Sequence, residues 1–271
     1  KSGGTIDTTA STGHAPSIMA WQQVGESTCT LGEVKQRADV VVFWGSDPLV
    51  SHPRHIERYC PPRPGRTIVV VDTRETETAK AADLFVPVTA GRQWEELWEL
   101  RELVRSDLHA SPITPPPPLR GRSMEPQVPS GGGAAQKYTP SPGSGFAITD
   151  LPLKGGGGGA GDGSRLGDLS SLFRSAKFGV IFFGAGVTSE PLAHRSLEAL
   201  LQLVTDLNNH TRFYARRMRR YGDVAGADSV LAWQTGYPFG VNLSAGYPRY
   251  NPGEFTGPEM LARGEPDLCV L

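Results

Sequence analysis

Two periods of apolar spacing alternate along this chain. Val40, Val41, Val42, Phe43 and Trp44 form an unbroken apolar run rich in β-branched and aromatic residues. With no polar alternation, such a run predicts a strand buried on both faces, as in a parallel sheet. The pattern recurs over 67–71, ending on Asp72, over 84–88, and over 178–183. Between these runs the spacing becomes helical. Trp94, Leu97, Trp98, Arg101, Val104 and Leu108 follow one helix face, and Leu197, Leu200, Leu201, Val204 and Leu207 another. Thr30 and Glu33 have capping-box spacing and predict a helix reaching Arg37. Helices are also expected over 52–59 and 76–82, and strands over 211–215 and from about Leu268. The first 29 residues, rich in Thr, Ser, Gly and Ala, predict loop plus a short helix. Strand and helix in alternation predict an α/β fold with a doubly wound, mostly parallel sheet.

Composition divides the chain in three. Residues 1–108 carry the first α/β half. Residues 109–168 contain four consecutive prolines (115–118) and runs of glycine at 131–133 and 155–159. Few apolar side chains stand there to offset ordering entropy, so the segment reads as a disordered insertion. Residues 169–271 resume strand, glycine turn and helix, and read as a second half truncated at its C-terminus. The formal net charge of −1 gives no reason to expect nucleic acid as a partner. No apolar stretch approaches membrane-span length and no leader-like segment is present, so the expected location is cytoplasmic. Cys29, Cys60 and Cys269 are scattered without a CxxC pair and read as reduced thiols rather than an iron–sulfur or zinc site.

In an open parallel sheet, ligands bind beyond the carboxyl ends of the strands. Two turns qualify in the first half: Gly45, Ser46, Asp47 and Pro48 after one strand, and Asp72, Thr73 and Arg74 after the next. Their carboxylates suit a ribose or a base, and their hydroxyls and main-chain N–H groups suit phosphate. Equally, such residues make ordinary turns. Gly184 and Gly186 follow the strand over 178–183, where glycine permits either close ligand approach or a tight turn. No GxGxxG follows any strand, so a standard dinucleotide site is unsupported. His52 and His55 lack an evident third metal ligand. The run Arg216, Arg217, Met218, Arg219, Arg220 suits an anion site better than nucleic acid. Asp7, Ser11 and His14 lie too close in sequence to indicate a hydrolytic triad.

Taken in order, several segments resemble one known family: residues 6–11, 14–17, 38–48, 51–55, 70–74 and 82–83, then 179–184, 233–239 and 246–253. The chain resembles the molybdopterin-oxidoreductase-type B subunit of formylmethanofuran dehydrogenase and its methylotroph counterpart in the formyltransferase/hydrolase complex. The resemblance implies a molybdopterin-oxidoreductase (formate dehydrogenase-like) fold. Active relatives bind pterin guanine dinucleotides around tungsten or molybdenum and interconvert carbon dioxide and formate. It further implies that Gly45–Pro48 and Asp72–Arg74 form a nucleotide-binding face. Where active relatives read Ala-Ser-x-Cys-His, with the cysteine on the metal, this chain reads Ala10, Ser11, Thr12, Gly13, His14. His14 remains, and Arg219 falls near the family's active-site arginine, both as vestigial or cavity-lining residues.

The resulting expectation is a redox-silent subunit with no metal and no cofactor. Its partners would be the other subunits of a formyltransferase/hydrolase complex in methanofuran- and tetrahydromethanopterin-linked one-carbon metabolism. The alternatives are an active tungsten or molybdenum enzyme with molybdopterin guanine dinucleotide, and a pterin- or nucleotide-binding module without metal.

Overall fold

A computed structural model describes residues 3–9, 11–106, 162–220 and 224–270. The chain begins with β1 (Thr5–Ile6), α1 (Ser11–Val24), α2 (Leu31–Arg37), β2 (Val40–Trp44), α3 (Pro48–Ser51) and α4 (His55–Tyr59). It continues through β3 (Thr67–Asp72), α5 (Glu77–Ala81), β4 (Leu84–Pro87), α6 (Gln93–Ser106), α7 (Asp162–Ser175) and β5 (Phe178–Phe183). Then come α8 (Ala185–Thr188), α9 (Ala193–Leu207), β6 (Arg212–Arg217), α10 (Val224–Thr235), β7 (Val241–Asn242), β8 (Arg249–Tyr250) and α11 (Gly257–Ala262).

Five strands form one parallel sheet in the order β4-β3-β2-β5-β6. Val40 sits between Thr67 and Gly179, and Trp44 between Val71 and Phe183. Central strands lose water on both faces, and their uniform apolar content answers that demand. Val40, Val42, Trp44, Val69, Val71, Ile181 and Phe183 pack with apolar residues of α6, α7 and α9. Val41, Phe43, Val70, Val180 and Phe182 share the opposite core with Val34 of α2, Cys60 and Ala79 of α5. Each fully buried Val, Ile or Phe side chain contributes about 1.5–3 kcal/mol. Gly179 is required by packing, since a Cβ there would run into the Phe213 ring. A second sheet, β1-β7-β8, is antiparallel and small.

The capping box at Thr30 is formed in full, with the Thr30 side chain on the Glu33 N–H and the Glu33 carboxylate on the Thr30 N–H. The long buried strands lie where the apolar runs predict them.

Other expectations are corrected. The helix expected over 52–59 is shortened to α4 (His55–Tyr59), because Arg54 takes φ +67 just before it, and a separate short helix, α3, ends at Ser51. The short N-terminal helix is the 14-residue α1. No strand forms near Leu268 among the described residues; Leu268 and Val270 are 80% and 85% exposed. Most of 109–168 lies outside the described residues, but α7 starts at Asp162, so helix reaches into the segment read as insertion. Both sides of that segment contribute strands to a single sheet.

Candidate functional site

The chain proceeds outward from β2 to β3 and β4, then returns to β2's other side for β5 and β6. The strand order therefore reverses between β2 and β5, and a crevice outside the carboxyl ends at such a point is the usual ligand position of an open α/β sheet. At this point the turns after β2 and β5 interlock. Gly186 N–H donates to Gly45 O (2.8 Å) and Gly184 N–H to Trp44 O (3.0 Å). A Cβ on Gly186 would lie 2.7 Å from Gly45 Cα, and one on Gly184 2.8 Å from Gly45 O. Gly45 itself has φ +56. The space these three glycines leave is filled by neighbouring backbone and, beside Gly184, by the Ser46 side chain. Buried Gln93 braces the same place, accepting from Trp44 Nε1 (3.2 Å) and donating to Gly186 O (2.8 Å).

Beside the interlocked turns lies a cleft of about 220 Å³. Gly13, His14 and Ser17 of α1 line one side, Gly184, Ala185 and Thr188 another, and Arg217 to Arg220 the third. His14 and Arg219 converge on a residue that no sequence pattern marks. Asp228 of α10 holds His14 Nδ1 at 3.4 Å and Arg219 NH1 at 3.1 Å on one carboxylate oxygen, and accepts from Thr8 Oγ1 (3.0 Å) on the other. Burial pushes the Asp228 carboxyl up. The hydrogen bonds from His14 and Thr8 and the Arg219 charge outweigh it, leaving the group below the usual aspartate value. Burial, with Arg217 nearby, lowers Arg219 from its ordinary value, and Asp228 partly restores it. Asp228 escaped the sequence reading because it lies 214 positions from His14, in a helix without a motif.

The arginine run divides by task. Arg216 donates to the Cys29 carbonyl. Arg217 pairs with Glu26 (3.3 Å), while its NH1 is buried with no hydrogen-bond partner among the described residues. Arg217 and Arg219 thus both offer charge to the cleft, and only the second was singled out from sequence.

Gly13 stands in the first turn of α1, exposed, with nothing within 4 Å of where its Cβ would be. A side chain would fit there, yet the residue offers no ligand atom. Among the described residues no three His, Cys, Asp or Glu side chains gather to hold a metal ion. The residues present thus do not fit a metal ligated by the protein at this position.

The remaining candidates lie further along the strand ends. Asp47 is committed to Thr78, accepting from its N–H (3.2 Å) and Oγ1 (2.5 Å). Ser46 and Pro48 are buried. Thr73 and Arg74 are exposed, with only long contacts (3.4 Å) to Asp72. His52 uses both ring nitrogens, on Ser51 Oγ and Arg219 O, each at 2.8 Å. Burial, then His52 and Arg216, push His55 down to about 4, so it stays neutral. No triad assembles: Ser11 bonds Asp7 (2.7 Å), but His14 turns to Asp228.

The class defined by fold and site is a parallel α/β protein with a cationic cleft at its strand-order reversal. No family model matches the sequence. Over 99% of its length the chain is 38% identical to the B subunit of tungsten-containing formylmethanofuran dehydrogenase 2 of Methanocaldococcus jannaschii. It is 34% identical over 98% of its length to the protein of the same name from Methanococcus maripaludis. Over 38% of its length it is 28% identical to the B subunit of the formyltransferase/hydrolase complex Fhc of Methylorubrum extorquens, covering 27% of that protein. The chain is thus a relative, over the stretch they share, of the formylmethanofuran dehydrogenase B subunit. It spans about half the length of the two methanogen relatives (54% and 53%). The solved formyltransferase/hydrolase complex of Methylorubrum extorquens, in complex with methylofuran, contains a chain of similar fold. Its TM-score is 0.65 at 18% identity, covering 97% of this chain and 59% of that one. No described helix is long and apolar enough to cross a membrane.

Proposed function

We propose that this chain is part of the molybdopterin-oxidoreductase-fold subunit of a cytoplasmic, formylmethanofuran dehydrogenase-like formyltransferase/hydrolase complex. In this reading its cleft binds a small carboxylate such as formate without redox chemistry. One observation carries the reading. At the first turn of α1, facing the cationic cleft, Gly13 leaves open space and supplies no thiolate. The rest of the cleft keeps what a carboxylate needs. Arg219 and Arg217 NH1, the latter without a hydrogen-bond partner among the described residues, are donors of the right charge. His14 has one ring nitrogen on Asp228, leaving the other for a ligand. Formyl transfer and hydrolysis move no electrons, so such a complex can dispense with a metal ligand in this subunit. Its partners are the other subunits of the complex.

Metal analysis of the purified complex tests the reading. The expected result is tungsten and molybdenum far below one per chain, with no viologen-linked formate oxidation. Stoichiometric metal with turnover would overturn it. That result would support a second reading, an active enzyme whose pterins alone hold the metal; the names of the two methanogen relatives favour it. A third reading, a pterin- or nucleotide-binding module, is favoured by the turn of half-buried Asp72 and exposed Thr73 and Arg74. Guanine nucleotide released on denaturation, without metal, would select it.

A further inference from the structure

The segment Ser51 to His55 stands out in the sequence but does not line the cleft. Its backbone is strained, because Arg54 takes φ +67, in the left-handed region, without being glycine. Residues held this way persist where the surroundings over-determine them, and they cluster at functional sites. The bend turns both histidine rings inward. His55 packs edge-on to Phe182 at 4.9 Å and Phe43 at 6.2 Å. His52 reaches across the sheet end to the carbonyl of Arg219 at 2.8 Å.

That carbonyl lies just beyond the sheet's reach. β6 ends at Arg217, and Met218 N–H still bonds Phe183 O (2.8 Å). One residue on, Arg219 presents its guanidinium to Asp228 and its carbonyl to His52. A carbonyl only accepts, so His52 Nε2 carries the hydrogen and the tautomer is fixed. The other ring nitrogen then accepts from Ser51 Oγ (2.8 Å), and Ser51 N–H donates to Asp47 O (2.9 Å). Asp47 is held in turn by Thr78. A continuous line of hydrogen bonds therefore runs from the turn after β2 to the main chain of the cleft arginine.

We propose that His52 is a positioning residue for Arg219, referencing the arginine's main chain to the β2 turn so that its guanidinium is presented to a carboxylate in the cleft. The ligand class rests on the formate reading above; the main-chain restraint does not.

The test compares the intact complex with complexes carrying His52→Ala, His52→Gln, Arg219→Ala and the double variant His52→Ala/Arg219→Ala. Formate binding is measured by calorimetry, and main-chain hydrogen exchange is followed over residues 217–220. A Gln amide nitrogen lies as many bonds from Cα as His Nε2, so His52→Gln keeps the donor. His52→Ala is expected to weaken formate binding about fivefold, the loss corresponding to one hydrogen bond, and to speed exchange over 217–220. His52→Gln restores both, and His52→Ala adds nothing once Arg219 is gone. Loss of the same size in the Arg219→Ala background, or no rescue by Gln, would overturn the proposal, as would unchanged exchange in His52→Ala. Absence of formate binding in the unaltered complex, with the exchange pattern as expected, would sink the carboxylate reading and leave the positioning role standing.

Discussion

Asp228→Asn changes one atom of the cleft and separates its electrostatics from its shape. The carboxylate accepts from Thr8 at 3.0 Å, Arg219 at 3.1 Å and His14 at 3.4 Å. Asparagine keeps an acceptor oxygen on one side only, either for Arg219 and His14 or for Thr8, sets an amide N–H against the other side, and removes the negative charge in both cases. Arg219 and His14 are mostly buried, their side chains 19% and 9% exposed, so neither recovers full hydration. Removing one partner of a buried pair costs about 3 kcal/mol, a figure at the low end here because Arg219 retains some solvent. For a domain of this size, that lowers Tm by roughly 6–12 °C.

The pH dependence follows from the sign of the Asp228 shift. The folded-state value is depressed, so the stabilisation is complete above the unfolded-state aspartate value of about 3.9 and is lost as pH falls through the folded value. Thermal denaturation from pH 7 to pH 3 should therefore show a wide gap between variant and parent at neutrality that closes in acid. A gap below about 0.5 kcal/mol at pH 7, or one constant to pH 3, would refute the reasoning.

Gly186→Ala puts a Cβ 2.7 Å from Gly45 Cα, backbone that has no side chain to swing aside, and should cost about 2–3 kcal/mol by urea denaturation. Gly13→Cys meets nothing within 4 Å, so it should fold with stability within about 1 kcal/mol of the parent, and mass spectrometry should find its thiol alkylated by iodoacetamide under native conditions. Thr78→Val removes the hydroxyl that donates to Asp47 at 2.5 Å and accepts from Leu49 N–H at 3.2 Å, with an expected loss of about 1–2 kcal/mol in the same denaturation series.

The strands were legible because burial on both faces imposes a local composition, and 40–44, 67–72 and 178–183 satisfy it without help from distant residues. The Thr30 capping box was legible for the same reason, being complete within four residues. α1 was underestimated because Thr, Gly, His and Pro fill its first turns, and its helical state rests on packing beside α9. The ending read as a strand has apolar residues but no neighbouring strand to pair with among the described residues. In the site, the glycine turns were visible, yet whether their room served a ligand or another backbone depended on β2 and β5 being neighbours. Arg217 was hidden among equals, and Asp228 is joined to His14 by the fold alone.

The small sheet ties the start of the chain to segments made much later. Asp7 accepts from Gly240 N–H and Gly257 N–H, 233 and 250 positions on, and Thr8 bonds Asp228. A ribosome adding about 5–20 residues each second releases the first anchor many seconds before its partners exist. The five-stranded sheet has all its strands by Arg217, whereas the carboxylate that gathers His14 and Arg219 has not yet been made. The last contact that shapes the cleft is therefore made only after the sheet has all its strands. The arrangement of His14 and Arg219 about one carboxylate is thus confined to chains in which α10 has docked.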